Sequence, residues 1–220
     1  AEQLAEVEDC CAWSGQRPVD WLYDHFDIDS RWCLVHATHV TESELKRIAD
    51  SKTSVGLCPT TEANLGDGIF PTTEYLARGG KICIGSDSHV SISPIEELRF
   101  LEYEQRLLHR KRGILSSSGK SVGQSLWMET ATNGSNALGT AGGSISIGRC
   151  ADLIALNPNC PSLITKDDKT RMDGVVFDGN INPVTDVMVN GQWVIKDCHH
   201  PAENEIFNAF RALCRKLNAT

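Results

Sequence analysis

An aspartate that directly follows a short apolar stretch is the residue of this sequence best placed to do chemistry. Residues 81–85 read Lys-Ile-Cys-Ile-Gly, and Ser86, Asp87 and Ser88 come next. A buried parallel strand delivers an acidic side chain to the carboxyl end of a sheet or barrel in this way. A carboxylate at that place can hold a metal ion or move a proton. This segment alone equally fits a helix cap, because Asp and Ser are preferred there.

Two further polar groups follow two other strand-like segments. His36 ends the apolar segment 31–36, and a polar, glycine-rich stretch at 60–68, predicted to be a loop, follows a second strand-like segment at 53–58. The carboxyl ends of parallel strands lie on one face of a (β/α) barrel. We therefore expect His36, this loop and Asp87 to surround one site. The residues alone leave open that His36 is a core histidine bonded to backbone.

The elements that must position these residues alternate in type. Strand-like segments at 31–36, 53–58 and 82–85 are separated by helical patterns, which indicates a parallel α/β fold. The predicted helices occupy 2–13, 18–25, 42–50, 71–79, 94–112 and 122–138.

The pattern changes after Gly139. Four strand-like segments, at 143–148, 151–156, 184–189 and 192–195, predict an antiparallel β module, and Asn190-Gly191 is a strong hairpin turn signal. An amphipathic helix at 203–217 follows. We therefore predict three units: an α/β unit at 1–140, a β unit at 141–200 and a helix at 201–220.

Composition and charge narrow the class of protein. The 220 residues carry a net charge of −8, and 40% of them are hydrophobic. Acidic charge argues against nucleic acid as a partner, and no apolar run is long enough to span a membrane. The nine cysteines are odd in number and include no Cys-x-x-Cys pair. A reducing cytoplasm fits this pattern better than a disulfide framework.

Two stretches in the last third of the sequence, together with His36 and Asp87, resemble a known family. Residues 143–154 read Gly-Ser-Ile-Ser-Ile-Gly-Arg-Cys-Ala-Asp-Leu-Ile, and residues 186–194 read Asp-Val-Met-Val-Asn-Gly-Gln-Trp-Val. The first resembles the G-S-x-x-x-G-x-x-A-D-L strand pair of the amidohydrolase superfamily, and the second its V-x-x-V-x-V-x-G hairpin. The resemblance implies an α/β fold: the second half of a (β/α)8 TIM-like barrel plus part of an accessory β-sandwich.

Three stretches narrow the resemblance within the superfamily. Residues 1–15, 32–39 and 61–71 are most similar to the deiminases that act on N-formimino-L-glutamate in histidine degradation. The resemblance implies zinc-dependent hydrolysis of the formimino C=N bond, which yields N-formyl-L-glutamate and ammonia, with one zinc ion per active site of the full-length enzyme. The other partner it implies is the small-molecule substrate.

The resemblance also assigns roles to residues of this sequence. Asp87 matches the metal ligand that accepts the water proton. His36 matches the residue that hydrogen-bonds the attacking hydroxide, and it is the second candidate metal ligand. Glu2 matches the acid/base that moves a proton to the leaving nitrogen, although a glutamate in the first turn of a helix is also favoured by the helix dipole.

Three more residues are candidate substrate contacts. Glu62 and Asn64 fall in the predicted loop at 60–68, and His89 follows Asp87 by two positions. Loops over a pocket mouth commonly bind ligands. The alternatives are that Asn serves the geometry of a glycine-rich turn and that His89 caps a helix.

The resemblance implies metal ligands that this sequence lacks. The family's first strand carries a His-x-His pair and its fifth strand a further histidine, and both would precede Ala1. A catalytic zinc site normally has three protein ligands. We therefore expect residues 1–220 alone to bind zinc poorly and to be inactive. The open edges of a three-stranded half-barrel predict pairing with another chain or between copies, and hence a homo-oligomer.

Two other functions stay open from the sequence. The chain fits another aminohydrolase of the same superfamily, such as a cytosine or guanine deaminase or a chlorohydrolase-like enzyme. It also fits a catalytically dead fragment that acts only as a fold or assembly partner.

Overall fold

Three short strands form a parallel sheet in the first part of the chain. They lie in the order β1 (Cys33–Val35), β2 (Ser54–Leu57) and β3 (Lys81–Ile84). The structure is a computed structural model and describes residues 1–218. The register pairs Val35 with Gly56 and Gly56 with Cys83, so the three strands end at nearly the same level. The residues that follow them are thereby brought to one edge of the sheet.

Helices separate the strands as the sequence pattern predicts. The helices of the described residues are α1 (Leu4–Ser14), α2 (Pro18–His25), α3 (Glu42–Asp50), α4 (Pro59–Leu65), α5 (Thr72–Ala77), α6 (Pro94–His109), α7 (Val122–Ala137), α8 (Pro161–Ile164), α9 (Arg171–Phe177) and α10 (Glu203–Leu217). A second, antiparallel sheet contains β4 (Leu153–Leu156), β5 (Val184–Val189) and β6 (Gln192–Ile195). Mixed α/β content with one parallel and one antiparallel sheet therefore confirms the coarse fold prediction.

The main hydrophobic core lies between the parallel sheet and the helices packed on it. Its members are buried side chains of alternate strand positions and of the facing helix surfaces. They include Ile48, Val55, Leu57, Tyr75, Ile82, Leu98, Leu101 and Leu126. The phenol of Tyr75 donates a hydrogen bond to the carbonyl of Thr53 at 2.6 Å. Gly80 is required beside it, because a Cβ there would lie 2.5 Å from the Tyr75 ring.

Helix α9, which precedes β5 in the sequence, is bound to the first part of the chain. Arg99 of α6 donates hydrogen bonds to the carbonyls of Val176 (2.6 Å) and Gly179 (2.9 Å). The β5–β6 connection is the predicted tight turn, with φ of 48° at Asn190 and 78° at Gly191. Two consecutive positive φ angles are what a type I′ hairpin turn needs.

The prediction of a loop at 60–68 is wrong, because most of these residues belong to α4. Pro59 occupies the first helical turn, where a missing N–H costs nothing, and Gly66 ends the helix with φ of 75°. This combination of proline at the start and glycine past the end is a helix signal. The polar composition of the segment hid it.

The predicted strand at 143–148 is also wrong. These residues form turns and bends, and Ile145 and Ile147 are almost fully exposed (89% and 107%). A strand needs a neighbour for its backbone N–H and C=O groups. Within residues 1–218 none pairs with this segment.

The predicted helix near the end of the sequence is confirmed as α10, and it buries none of its side chains. No helix in the described part of the chain is long and apolar enough to cross a membrane. The unit boundaries predicted at 140 and 200 stay predictions.

A buried carboxyl on α6 makes stability depend on pH. Glu104 is 8% exposed, and its carboxyl accepts one long hydrogen bond from Gln105 (3.4 Å). Burial raises the pKa of Glu104 from 4.5 to about 8, with Glu62 adding to the shift. The folded state therefore keeps a proton that the unfolded chain releases above about pH 4.5. This group's contribution to the free energy of unfolding falls as pH rises from about 4.5 to about 8.

Replacing Glu104 by glutamine removes that dependence. We expect Glu104→Gln to gain about 2–5 kcal/mol of unfolding free energy over the parent at pH 8 and much less at pH 4.5, measured by urea denaturation. The matched control is Glu205→Gln, the same change at an exposed carboxyl of α10. An equal gain at both pH values, or none at either, would contradict the assignment.

Candidate active site

A sharp turn directly after β1 presents His36. Its N–H donates to the carbonyl of Gly56 at 2.7 Å and continues the strand pairing by one residue. The backbone then enters the left-handed region, with φ of 63° at His36 and 51° at Ala37. Non-glycine residues adopt this conformation only where surrounding structure enforces it, often at functional sites. The imidazole is mostly buried (12% exposed).

A second turn follows β3 and presents Asp87. The N–H of Gly85 donates to the carbonyl of Leu57 at 3.0 Å, and Asp87 itself has φ of 45°. Its side chain remains 42% exposed. The helix-cap alternative is excluded here, because the next helix, α6, is capped by the Ser93 hydroxyl, which accepts from the N–H of Glu96.

Helix α4 holds the Asp87 turn in place through Thr61. The Thr61 hydroxyl donates to the carbonyl of Ser86 at 3.2 Å and accepts from the N–H of Ser88 at 3.3 Å. Both neighbours of Asp87 are therefore tied to the same hydroxyl, and this tie fixes where the carboxylate can reach.

Glu2 reaches the same place from the residues before α1. The carbonyl of Ala1 accepts from the N–H of His39 at 3.2 Å, so the start of the sequence lies against the turn after β1. Glu6, and not Glu2, is the acidic residue in the first turn of α1, where the helix dipole favours negative charge. Its carboxylate accepts from the N–H groups of Glu2 and Gln3 (both 3.0 Å). The side chain of Glu2 is free to face the site.

The three predicted catalytic side chains meet around the imidazole. Nε2 of His36 lies 3.6 Å from Oε1 of Glu2 and 3.9 Å from Oδ2 of Asp87. The three ligand atoms lie within 4.8 Å of one another. Burial raises the pKa of the Glu2 carboxyl, the His36 ring partly opposes that, and Asp67 adds to the rise. A carboxyl with a raised pKa can hold and release a proton closer to neutral pH.

Several buried polar atoms of Glu2 and of the segments that follow β1 and α4 have no hydrogen-bond partner within residues 1–218. Oε1 of Glu2, Oγ1 of Thr38, Nε2 of His39 and Oδ2 of Asp67 are buried and have no hydrogen-bond partner in the described residues. Buried polar groups in folded proteins are otherwise almost always hydrogen-bonded. The oxygen and nitrogen donors of Glu2, His36 and Asp87 are the types that zinc accepts, and the unpartnered Oε1 fits a cation. The residues present therefore fit a metal ion.

Glu62 lies in the site, but on a helix and not on a loop over its mouth. Its side chain is 3% exposed, and its Oε1 lies within hydrogen-bond distance of Nδ1 of His36 (3.0 Å) and accepts from the N–H of Cys58 at 2.9 Å. Burial raises the pKa of Glu62, and the two hydrogen bonds partly oppose the rise.

A second set of donor atoms is less suited to a metal. The ligand atoms of His36, Cys58 and Glu62 also lie within 4.8 Å of one another. Burial raises the pKa of the Cys58 thiol to about 12, however, whereas a metal needs the thiolate. His36 and Glu62 of this set already form a hydrogen bond with each other.

The other two predicted substrate contacts are not brought into the cluster. Asn64 and His89 are both exposed, and their side chains make no hydrogen bond within the described part of the chain. Their substrate role stays a prediction. Thr61 was not predicted from the sequence, although the helix signal of Pro59 and Gly66 would have placed it beside Glu62 in the first turn of α4.

The comparisons with known proteins agree on one family. The sequence profile of the amidohydrolase family matches residues 1–194. Formimidoylglutamate deiminase from Pseudomonas aeruginosa is 49% identical over 211 residues, which are 96% of this chain and 47% of that protein. The chain therefore spans about half the length of this curated relative.

Solved structures give the same result for the fold. The crystal structure of an amidohydrolase from Brucella melitensis superposes with a TM-score of 0.91 at 44% identity, over 98% of this chain and 48% of that one. An adenosine deaminase from Xanthomonas campestris, crystallised with bound zinc, superposes with a TM-score of 0.86 at 22% identity, over 100% of this chain and 50% of that one. The second likeness concerns the fold alone.

Proposed function

The chain belongs to the amidohydrolase family, and we propose that it supplies part of the active site of a zinc-dependent deiminase that acts on N-formimino-L-glutamate. The observation that carries this proposal is the meeting of Glu2, His36 and Asp87 beyond the carboxyl ends of parallel strands. The 49% identity to a formimidoylglutamate deiminase supports the substrate.

In this proposal the chain forms the second half of a (β/α)8 barrel, and the remaining strands come from elsewhere in the protein. The three-stranded parallel sheet and the half-length match to relatives support this. The antiparallel sheet β4–β5–β6 then belongs to an accessory β-sandwich. A cytoplasmic location and a homo-oligomeric state are parts of the same proposal.

Asp87 would hold the zinc, with His36 as the second candidate ligand. Zinc, when bound, lowers the pKa of a water molecule to about 7 and so supplies a nucleophile at neutral pH. One such ion per active site is proposed, and a structural neighbour of the same fold was crystallised with zinc. The ligands missing from residues 1–218 would come from the other half of the barrel.

The chain's own residues would handle the protons. Asp87 accepts a proton from the attacking water, and Nε2 of His36 orients that water by a hydrogen bond. Water adds to the formimino carbon, and Glu2 donates a proton to the imino nitrogen. Asp87 then returns the proton it took from water to that nitrogen, while Glu2 takes the hydroxyl proton of the adduct. The C–N bond breaks, ammonia leaves, and N-formyl-L-glutamate remains with both carboxyl groups back in their starting states. The raised pKa of Glu2 suits this exchange.

The substrate assignment is tested by turnover. The intact protein that contains this chain should release ammonia from N-formimino-L-glutamate in the presence of zinc, measured by a coupled ammonia assay. Adenosine, cytosine and guanine serve as comparison substrates. Ammonia release from one of these and none from N-formimino-L-glutamate would overturn the substrate but keep the reaction class.

The role of Glu2 is tested by an isosteric change. Glu2→Gln keeps the size of the side chain and removes its proton transfer, so kcat should fall about 10²–10⁴-fold. Glu8→Gln, at an exposed position of α1, is the matched control and should leave kcat unchanged. A Glu2→Gln variant with parental kcat would contradict the acid/base role.

The role of Asp87 is tested by metal content. The intact protein should contain close to one zinc ion per active site by atomic emission, and a chelator should abolish ammonia release until zinc is restored. Asp87→Asn should lower the zinc content, because the amide is a poorer ligand than the carboxylate. Full zinc content in Asp87→Asn, or activity that survives complete removal of metal, would refute this assignment.

A further inference from the structure

The hydrogen bond between Glu62 and His36 has a defined direction. Oε1 of Glu62 accepts from the backbone N–H of Cys58, which can only donate. The same oxygen lies 3.0 Å from Nδ1 of His36. With Glu62 as a carboxylate, Oε1 accepts in both contacts, which places the hydrogen of the neutral ring on Nδ1. The lone pair of the neutral ring is left on Nε2, the atom that faces Glu2 and Asp87.

Glu62 itself is held rigidly by the first turn of α4. The preceding residue but one, Thr60, donates from its backbone N–H and its hydroxyl to the two carboxylate oxygens of Glu97 (3.0 and 2.5 Å). Glu97 lies on α6 and is 1% exposed. Between them, Thr61 binds both sides of the Asp87 turn. The first turn of α4 therefore uses three consecutive residues for three contacts. Thr60 binds Glu97 of α6, Thr61 binds the Asp87 turn, and Glu62 contacts the His36 ring.

We propose that Glu62 is a positioning residue that holds His36 as the Nδ1–H tautomer with Nε2 aimed at the reacting water. The proposal rests on the proposed function for the identity of the reaction, but the tautomer assignment stands on the geometry of this chain. A carboxylate behind an imidazole fixes both its orientation and its tautomer, and loss of such a partner commonly costs about 10–100-fold in activity.

A direct substrate role for Glu62 fits the structure less well. The side chain is 3% exposed and Oε1 is occupied by two donors. The proposed substrate carries two carboxylates, which a buried carboxylate would repel. The carboxylate of Asp87 already lies on the open side of the ring.

The kinetic test uses the intact, zinc-loaded protein. Glu62→Ala removes the acceptor and should lower kcat about 10–100-fold with KM changed less than about 3-fold. Glu62→Gln retains an oxygen that can accept from Nδ1–H and should recover most of kcat. Unchanged kcat in Glu62→Ala, or a rise in KM with kcat intact, would overturn the positioning role and favour substrate binding. Equal losses in both variants would also overturn it.

The spectroscopic test does not depend on turnover. In protein labelled with ¹⁵N at histidine and at a pH where the ring is neutral, His36, assigned by its loss in His36→Gln, should show a protonated Nδ1 and an unprotonated Nε2. Glu62→Gln should keep this pattern, and Glu62→Ala should shift it toward protonated Nε2. A parent with protonated Nε2 would refute the proposal, even where Glu62→Ala fails to fold.

The two tests together separate this proposal from the proposed function. A protein that does not turn over N-formimino-L-glutamate but shows the expected tautomer, and its change in Glu62→Ala, refutes the substrate and supports the positioning role. A protein that turns over the substrate with the opposite tautomer refutes the positioning role alone.

Discussion

The parallel register of three short strands is the constraint on which the site depends. β1 and β3 each pair with β2 so that all three end at nearly the same level. Each strand is followed at once by a turn or helix that carries one polar side chain: His36, Glu62 or Asp87. A shift of one residue in either pairing would point these side chains away from one another, because successive strand residues face opposite sides.

Electrostatics then gives the site its chemical character. Three carboxyl groups, of Glu2, Glu62 and Asp87, lie around one imidazole, and burial raises the pKa of the first two. Such an arrangement stores unfavourable desolvation that a cation or a shared proton relieves. The two ring nitrogens of His36 have different neighbours: Nδ1 faces Glu62, and Nε2 faces Glu2 and Asp87.

The sequence could predict the parts of the fold that have local signals. Strand-like runs that end in a polar residue located His36 and Asp87, and Asn190-Gly191 located a hairpin. The strand at 143–148 was predicted wrongly because its alternating apolar pattern does not reveal whether a partner strand is present. A β pattern gives only the tendency to pair, and pairing itself is a long-range property.

The contact between Glu62 and His36 could not be predicted from the sequence for a similar reason. It joins residues 26 positions apart and depends on α4 beginning directly after β2, which the polar composition of 60–68 concealed. Glu62 is also indistinguishable by type from the many surface glutamates of this acidic chain. Only its position, one turn into a helix anchored by Thr60 on Glu97, makes it part of the site.

In the proposed function, Glu2, His36 and Asp87 act on one metal-activated water. The most direct measurement is a crystal structure of the intact, zinc-loaded protein, with the metal located by its anomalous scattering. We expect the zinc about 2.0–2.2 Å from a carboxylate oxygen of Asp87, and a single water within hydrogen-bond distance of Nε2 of His36 and the carboxyl of Glu2. Zinc bound away from Asp87, or a site in which these three side chains do not converge, would contradict the proposed function.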